Sequence, residues 1–275
     1  MIMATIFSTL KKDAIIFDEL SKNPSWWQLF KSDPNLYIEV RKNNQVNVYF
    51  EGGSVARIHY CSKHKKLQVF THHKYLGISD DKPTYIECSD FICKNISSII
   101  ERVKSCYSQK KSGTDSLTKE AWTEKYIQGN IIISNKQHYL DSEFAYKDKY
   151  LDIRVDMISV INGQVTFVEL KRLDDRRMLK ESDDTPEVVT QMNLYKQFIK
   201  TYEVELLDYY QRLYDIKESL GLPIPNSRPA NINTTPELLI FNRWTKTHPS
   251  RTAHKDRMEQ ILKREDIRYS IISEL

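Results

Sequence analysis

The strongest constraint in this sequence is an Asn-Gly pair that joins two apolar runs. Asn162 and Gly163 separate residues 151–160 from residues 165–171, and both runs are rich in β-branched side chains. Asn-Gly favours a tight two-residue hairpin turn, because both of its residues tolerate positive φ. The pattern therefore predicts two antiparallel, largely buried strands, and any polar residues that they carry will matter for function.

Length and composition place the chain among ordinary globular proteins. Its 275 residues suggest one large domain or two smaller ones, and 40% hydrophobic with 28% charged residues excludes a disordered or collagen-like chain. No apolar run approaches the roughly 20 residues that span a bilayer, and residues 1–12 lack a signal-peptide pattern, so we expect a cytoplasmic protein without a membrane partner. Four cysteines are too few for a disulfide scaffold. The net charge of +4 permits a nucleic-acid partner without requiring one.

A polar, charged segment at residues 108–115 separates two regions of different character. Before it, short strands joined by turn residues predict an antiparallel meander with helices; after it, helices are mixed with apolar strands. We therefore predict a smaller α+β domain at residues 1–110 and an α/β domain at residues 115–275. In the second domain we expect strands at residues 131–134, 143–146, 151–160, 165–171, 238–241 and 267–272, and helices at residues 118–128, 186–220 and 254–263.

Three charged residues lie within the apolar hairpin. Asp156 is in its first arm, and Glu169 and Lys171 are in its second arm, where alternation points the latter two to one face. A charged group in a buried strand is costly unless it is paired or binds a metal ion. If the hairpin brings the three together, the carboxylates suit a hard cation such as Mg²⁺ that assists phosphodiester hydrolysis, and the lysine can orient the attacking water. An ion pair at a strand end is the simpler interpretation.

Two helices carry residues that can complete such a site. Glu120 and Glu124 lie one helical turn apart before the hairpin, and either can supply a third carboxylate; a solvated helix face is the alternative. Gln191 and Tyr195 share one face of the helix after the hairpin. They can order a phosphate or a metal-bound water, or they can serve only as helix-boundary and core residues.

These residues, in this order, resemble the motifs of the PD-(D/E)XK nuclease superfamily, particularly the branch with a Q-x-x-x-Y motif shared with RecB-like nucleases. The resemblance covers roughly residues 119–275 and departs from the family pattern at Val155, where the family has a proline. It implies a restriction-endonuclease-like core, with a mixed sheet flanked by helices, and Mg²⁺-dependent cleavage of DNA or, less often, RNA. The matching residues are Glu124 (or Glu120), Asp156, Glu169, Lys171, Gln191 and Tyr195.

The resemblance also implies a role for each residue. Lys171 would serve the attacking water, and Mn²⁺ is expected to substitute for Mg²⁺. The metal ligands would be Asp156, Glu169 and the Leu170 carbonyl, with Glu124 in support, and the catalytic set would also include Lys171, Gln191 and Tyr195.

Other polar groups are weaker candidates. Asp152 is a rival to Asp156 as a ligand, although a regular hairpin places it far from Glu169. Cys61-x-x-His64 and the cysteines and histidines after it fit no familiar zinc spacing, so we prefer buried thiols and surface imidazoles. A basic loop beside the hairpin can meet a phosphate backbone, and a plain surface loop explains it equally well. The candidate nucleic-acid-binding residues in this loop are Arg172, Arg176, Arg177 and Lys180.

The sequence therefore predicts a metal-dependent deoxyribonuclease, with defence against foreign DNA, restriction or repair as its expected setting. The alternative is a catalytically silent nucleic-acid-binding or protein-interaction module on the same fold; the presence of both hairpin carboxylates and the lysine favours catalysis. Residues 1–110 are expected to bind substrate, a protein partner or a second subunit. Trp26, Trp27 and the tyrosine-rich strands of this region can stack on bases, although hydrophobic packing is the preferred interpretation.

Overall fold

The computed structural model describes residues 7, 9–77, 85–87, 95, 97–105, 122–179 and 185–275. These residues form two β-sheets with helices packed against them. Neighbouring strands of the first sheet pair antiparallel in chain order, which confirms the predicted meander. Its strands are β1 (Leu36–Arg41), β2 (Gln45–Phe50), β3 (Gly53–Cys61), β4 (Lys66–His72) and β5 (Tyr85–Glu87).

Three helices pack on the first sheet: α1 (Ile15–Ser21), α2 (Ser25–Ser32) and a helical stretch at residues 97–105, here α3. The strands present alternate buried residues to them, as β2 does with Val46, Val48 and Phe50. Trp26 and Trp27 of α2 are buried in the same core, which confirms hydrophobic packing as their role.

The second sheet is mixed, with strand order β11-β10-β8-β7-β6. β6, β7 and β8 pair antiparallel, whereas β8, β10 and β11 pair parallel. Asn162 and Gly163 form the turn between β7 and β8 with φ values of 51° and 78°, so the predicted hairpin is confirmed. The strands are β6 (Tyr139–Lys147), β7 (Asp152–Ile161), β8 (Gln164–Arg172), β9 (Asn231–Ile232, paired with the start of β8), β10 (Glu237–Phe241) and β11 (Tyr269–Ile272).

The helices of this half are α4 (Glu124–Ser134), α5 (Glu187–Thr201), α6 (Glu203–Ser219) and α7 (Pro249–Arg264). The predicted strand at residues 131–134 is wrong, because α4 runs through Gly129 and buries Ile131 and Ile132 against the second sheet. A short apolar run fits a buried helix as well as a strand. Among the helices of the described ranges, none is long and apolar enough to span a membrane.

Gly129 explains why a helix-weakening residue stands in the middle of α4. A Cβ at this position would lie 2.8 Å from the backbone nitrogen of Gly52 and 2.9 Å from the carbonyl carbon of Glu51. These atoms belong to the turn between β2 and β3, so the glycine permits the hairpin of the first sheet to touch the helix. Here glycine marks close packing rather than the end of a helix.

Replacing Gly129 by alanine is expected to lower the free energy of unfolding by about 1–3 kcal/mol, despite the ~1 kcal/mol that alanine contributes through helix propensity. The new methyl group meets rigid backbone atoms on the facing turn, so the hairpin and helix must move apart. Urea denaturation followed by circular dichroism measures the change. A variant as stable as the parent, or more stable, would show that this contact yields without cost.

Both sheets contribute to one hydrophobic core. The Phe7 ring packs between Phe144 and Tyr209 of the second half, with centroid distances of 6.2 Å and 5.8 Å. Arg212 of α6 donates to the carbonyls of Phe7 (3.2 Å) and Leu10 (2.8 Å), which ties the first segment to that half. Separate folding of residues 1–110 and 115–275 stays a prediction.

A group of charged side chains is enclosed where the edge strands β1 and β6 meet. Lys217 of α6 donates to Glu39 Oε2 (2.7 Å) and to the carbonyl of Leu140 (2.6 Å), and both charged groups are 3% exposed. Arg41 pairs with buried Asp141 at 3.3 Å. Burial, followed by the nearby Glu39 carboxylate, raises the pKa of Asp141 to about 7. The two halves are therefore joined by polar contacts as well as by the core.

Candidate active site

The β7–β8 ladder ends beside Asp156 and Glu169. Its last pair is Met157 with Val168, so these two acids face each other one residue further along the strands. Asp156 Oδ2 accepts a hydrogen bond from the backbone N–H of Leu170 at 2.8 Å. The side chain thus satisfies a backbone donor where the regular ladder stops, and this fixes the carboxylate between the two strands.

Glu169 is surrounded by three side-chain donors. Lys171 Nζ donates to its Oε1 and also to the Leu170 carbonyl (3.2 Å). Gln191 Nε2 donates to the same Oε1 (2.8 Å), and the Tyr195 hydroxyl lies 3.2 Å from Oε2 and also contacts the Arg154 carbonyl, its closer acceptor. Glu169 and Lys171 are only 3% and 2% exposed. The structure therefore brings together the four residues that the sequence predicted for this part of the site: Glu169, Lys171, Gln191 and Tyr195.

Burial makes negative charge unfavourable at this point. The pKa of Asp156 is raised to about 7, first by burial and then by the Glu169 carboxylate, against the opposing effect of Lys171. Burial also raises the pKa of Glu169, outweighing its contact with Lys171. Burial and Glu169 raise the pKa of Tyr195, which keeps its hydroxyl a hydrogen-bond donor. Two carboxylates compete here for one ammonium, an arrangement that a second cation would relieve.

Glu143 is a further carboxylate beside Asp156, and it is not among the residues predicted from the sequence. Ser142 pairs with Met157 and Phe144 with Val155, so Glu143 lies opposite Asp156 on β6. Its negative charge contributes to the raised pKa of Asp156. Glu143 itself has a φ of 55°, an unusual left-handed conformation within a strand. Because this register follows from the folded β6–β7 pair, no local sequence signal identifies the residue.

Glu124 lies at the rim of the site, at the first position of α4. It pairs with Arg177 at 3.3 Å. The nearby Asp175 disfavours its ionisation, whereas Lys171 favours it. Burial nevertheless raises its pKa. Glu120, the alternative helical carboxylate, lies outside the described residues. The helix therefore brings Glu124 towards the lysine side of the site and into contact with the basic loop.

The basic loop offers less free positive charge than its sequence suggests. Arg177 is held by two carboxylates, and Arg172 by a backbone carbonyl (3.0 Å) and a carboxylate (3.5 Å). Arg176 is exposed and has no ion pair within the described ranges. Lys180 lies outside those ranges. Of the three arginines, Arg176 is therefore the one available to meet a phosphate.

The weaker metal candidates do not gain support. Asp152 is engaged by Lys147 (3.0 Å) and by Arg154 (3.3 Å) near the start of β7. Cys61 is a half-buried free thiol, and the later cysteines at positions 88 and 93 lie outside the described part of the chain. Within that part, no three histidine, cysteine, aspartate or glutamate side chains are already grouped to hold a metal ion.

Comparison of the chain with protein-family models, curated proteins and solved structures finds no match. The resemblance to PD-(D/E)XK nucleases therefore depends on its site residues and their order alone. Membership in that superfamily stays a hypothesis, and the geometry of Asp156, Glu169 and Lys171 has to support any function on its own.

Proposed function

We propose that this chain is a metal-dependent nuclease that hydrolyses phosphodiester bonds, DNA before RNA, on a restriction-endonuclease-like core. The observation that carries the proposal is the half-buried Asp156 carboxylate beside the buried Glu169, which forms a salt bridge with the buried Lys171. A structural ion pair needs one carboxylate for one ammonium, whereas this site holds two. Excess negative charge in a buried position is what a divalent cation would neutralise.

The donor set fits a hard cation such as Mg²⁺, with Mn²⁺ as a substitute. Asp156 and Glu169 offer carboxylate oxygens, and Asp156 Oδ1 receives no hydrogen bond from the described residues. These two acids would hold the ion, together with the Leu170 carbonyl that the family resemblance implies. When bound, the ion would polarise a phosphate oxygen and lower the pKa of its bound water.

The protein's own residues supply position and charge. Gln191 and Tyr195 fix the Glu169 carboxylate, and Gln128 donates to the Asp156 carbonyl at 2.6 Å. Lys171 can turn its ammonium to a phosphate oxygen or to the attacking water, because its present partner Glu169 also has two other donors. A role in the cytoplasm, in defence against foreign DNA or in repair, is the setting that we propose for this chemistry.

The decisive experiment compares two aspartates of the same strand. We expect the purified protein to cleave DNA with Mg²⁺ or Mn²⁺ but not with EDTA, and Asp156→Asn to lose at least about 100-fold of that rate. Asparagine keeps the size of the side chain and an oxygen for the Leu170 N–H, so the fold should persist. Asp152→Asn is the matched control and should cleave like the parent, since this acid is exposed and paired elsewhere.

Single- and double-stranded DNA and RNA should be tested in parallel. Cleavage that survives Asp156→Asn would contradict the proposal, because it would originate outside this site. If the parent cleaves none of the four substrates, and if the parent and Asp156→Asn bind them equally well, the silent nucleic-acid-binding module would be favoured instead.

A further inference from the structure

Across β2 to β5, one face of the first sheet carries aromatic and basic side chains that are accessible in the described part of the chain. Asn47 pairs with Arg57, Arg57 with Phe70, and His72 with Tyr85, so these residues stand across four neighbouring strands. Arg57 is exposed, and Phe70 and Tyr85 are partly exposed. Residues of the opposite face, such as Val48 and Ile58, are buried in the core. From β2 to β5 the sheet therefore has one apolar and one accessible side, whereas at β1 the second side is covered, since Tyr37 and Glu39 are buried.

On the accessible side, Phe70 and Tyr85 each lie against a neighbouring side chain. His59 stacks on Phe70 with a centroid distance of 4.7 Å and an interplanar angle of 22°. The Arg57 guanidinium lies 3.7 Å from the centre of the Tyr85 ring. Half-exposed aromatic and guanidinium planes are the surfaces on which unpaired bases stack, and they do not fit the closed base stack of a duplex.

Positive charge accompanies these rings. Arg57 and Lys125 line the same cleft, between β3 and the start of α4, and neither has a carboxylate partner among the described residues. Among the described residues, Glu87 lies opposite Phe70; it forms an ion pair with Lys66 at 3.7 Å and accepts from Gln68 at 2.8 Å. Within the described part of the chain, the cleft therefore offers two cations without an ion-pair partner beside stacking surfaces, with Glu143 as the acid that also lines it, and this matches a phosphate backbone with exposed bases.

The cleft borders the candidate active site through Glu143. Glu143 lines it and lies opposite Asp156 on the neighbouring strand. Lys125 directly follows Glu124, the residue at the rim of that site where α4 begins. The close contact of Gly129 with Gly52 keeps α4 against the turn between β2 and β3. A chain lying across the sheet would therefore reach the hairpin carboxylates.

We propose that this face of the first sheet binds an unpaired nucleic-acid strand and delivers it to the Asp156–Glu169 site. Bases stack on His59, Phe70 and Tyr85, and Arg57 and Lys125 hold the phosphates. Delivery rests on the proposed nuclease function, whereas binding does not. Aromatic pairs across strands also stabilise sheets without any ligand, and that explanation predicts variants with altered stability but unaltered binding.

Binding is best measured by fluorescence anisotropy in EDTA, where no cleavage interferes. The probes are labelled oligothymidylate and oligouridylate of about 20 nucleotides and a duplex of the same length. We expect the parent to prefer the single strands, and Arg57→Ala and Phe70→Leu each to weaken single-strand binding about tenfold. Leucine keeps apolar volume while it removes the ring. Arg268→Ala, an exposed arginine beside β11, is the control and should bind like the parent.

Each outcome bears on the proposal separately from catalysis. Equal single-strand affinity of parent, Arg57→Ala and Phe70→Leu, with folding confirmed by circular dichroism, overturns it. Preference of the parent for duplex overturns it as well. Loss of single-strand binding in these variants supports it even if the parent cleaves nothing, in which case only the proposed function fails. Asp156→Asn should retain single-strand affinity, because its substitution lies beyond the stacking face.

Discussion

Replacing Lys217 by methionine is expected to lower the free energy of unfolding by about 3–5 kcal/mol, the usual cost of breaking a buried ion pair from one side. The substitution removes the hydrogen bonds that this ammonium donates to Glu39 and to the Leu140 carbonyl. It leaves the Glu39 carboxylate, which is only 3% exposed, without its partner. For a chain of this length the midpoint of thermal unfolding should fall on the order of 10 °C. Differential scanning calorimetry measures the shift directly.

The pH dependence of this loss has a definite sign. Burial raises the pKa of the neighbouring Asp141 to about 7, and the Lys217 charge opposes this rise, so removing Lys217 raises the folded pKa of Asp141 further. A carboxyl group whose pKa is higher in the folded than in the unfolded protein makes its full contribution to stability at pH values below the unfolded pKa. That contribution is lost as the pH rises towards the folded pKa. The Lys217→Met variant should therefore be closest to the parent near pH 4 and furthest from it at neutral pH.

Two further variants separate the ion pair from simple loss of packing. Lys200→Met changes an exposed lysine of α5 and should alter stability by no more than about 0.5 kcal/mol. Glu39→Met combined with Lys217→Met removes both charges and should recover most of the loss. If the double variant is no more stable than Lys217→Met, the unpaired Glu39 is not the cause.

The central hairpin shows which part of the candidate site could be predicted from the sequence. A two-residue Asn-Gly turn makes Ile161 pair with Gln164, and counting back along both arms places Asp156 opposite Glu169. The four-residue spacing of Gln191 and Tyr195 likewise places both on one side of a helix, and both do reach Glu169. These groups could be predicted because short, regular backbone connects them.

The parts that could not be predicted depend on contacts distant in the chain. Glu39 and Lys217 are 178 residues apart, and neither shows by itself that it is buried. Glu143 comes opposite Asp156 through an irregular strand whose left-handed residue is not a glycine. The identity of residues 131–134 as helix required the second sheet, which supplies the apolar surface that they cover. In each case tertiary packing, and not local pattern, decides.

Glu169→Gln is expected to reduce cleavage on the order of 10³-fold and to destabilise the fold at the same time. The amide keeps an oxygen for Tyr195 but removes the charge that compensates Lys171, an ammonium only 2% exposed. A cost of about 3–5 kcal/mol in unfolding free energy follows from removing the carboxylate that forms the salt bridge with this buried cation. Steady-state cleavage and urea denaturation of one preparation measure both effects.

Adding Lys171→Met to Glu169→Gln separates the two effects. The double variant contains neither charge, so its stability should return close to that of the parent, while cleavage should stay lost because both the acid and the ammonium are needed for the chemistry. Calorimetric titration with Mn²⁺ should show binding to the parent and none to the double variant. Recovery of cleavage along with stability would mean that Glu169 and Lys171 only hold the fold together, and that the active site lies elsewhere.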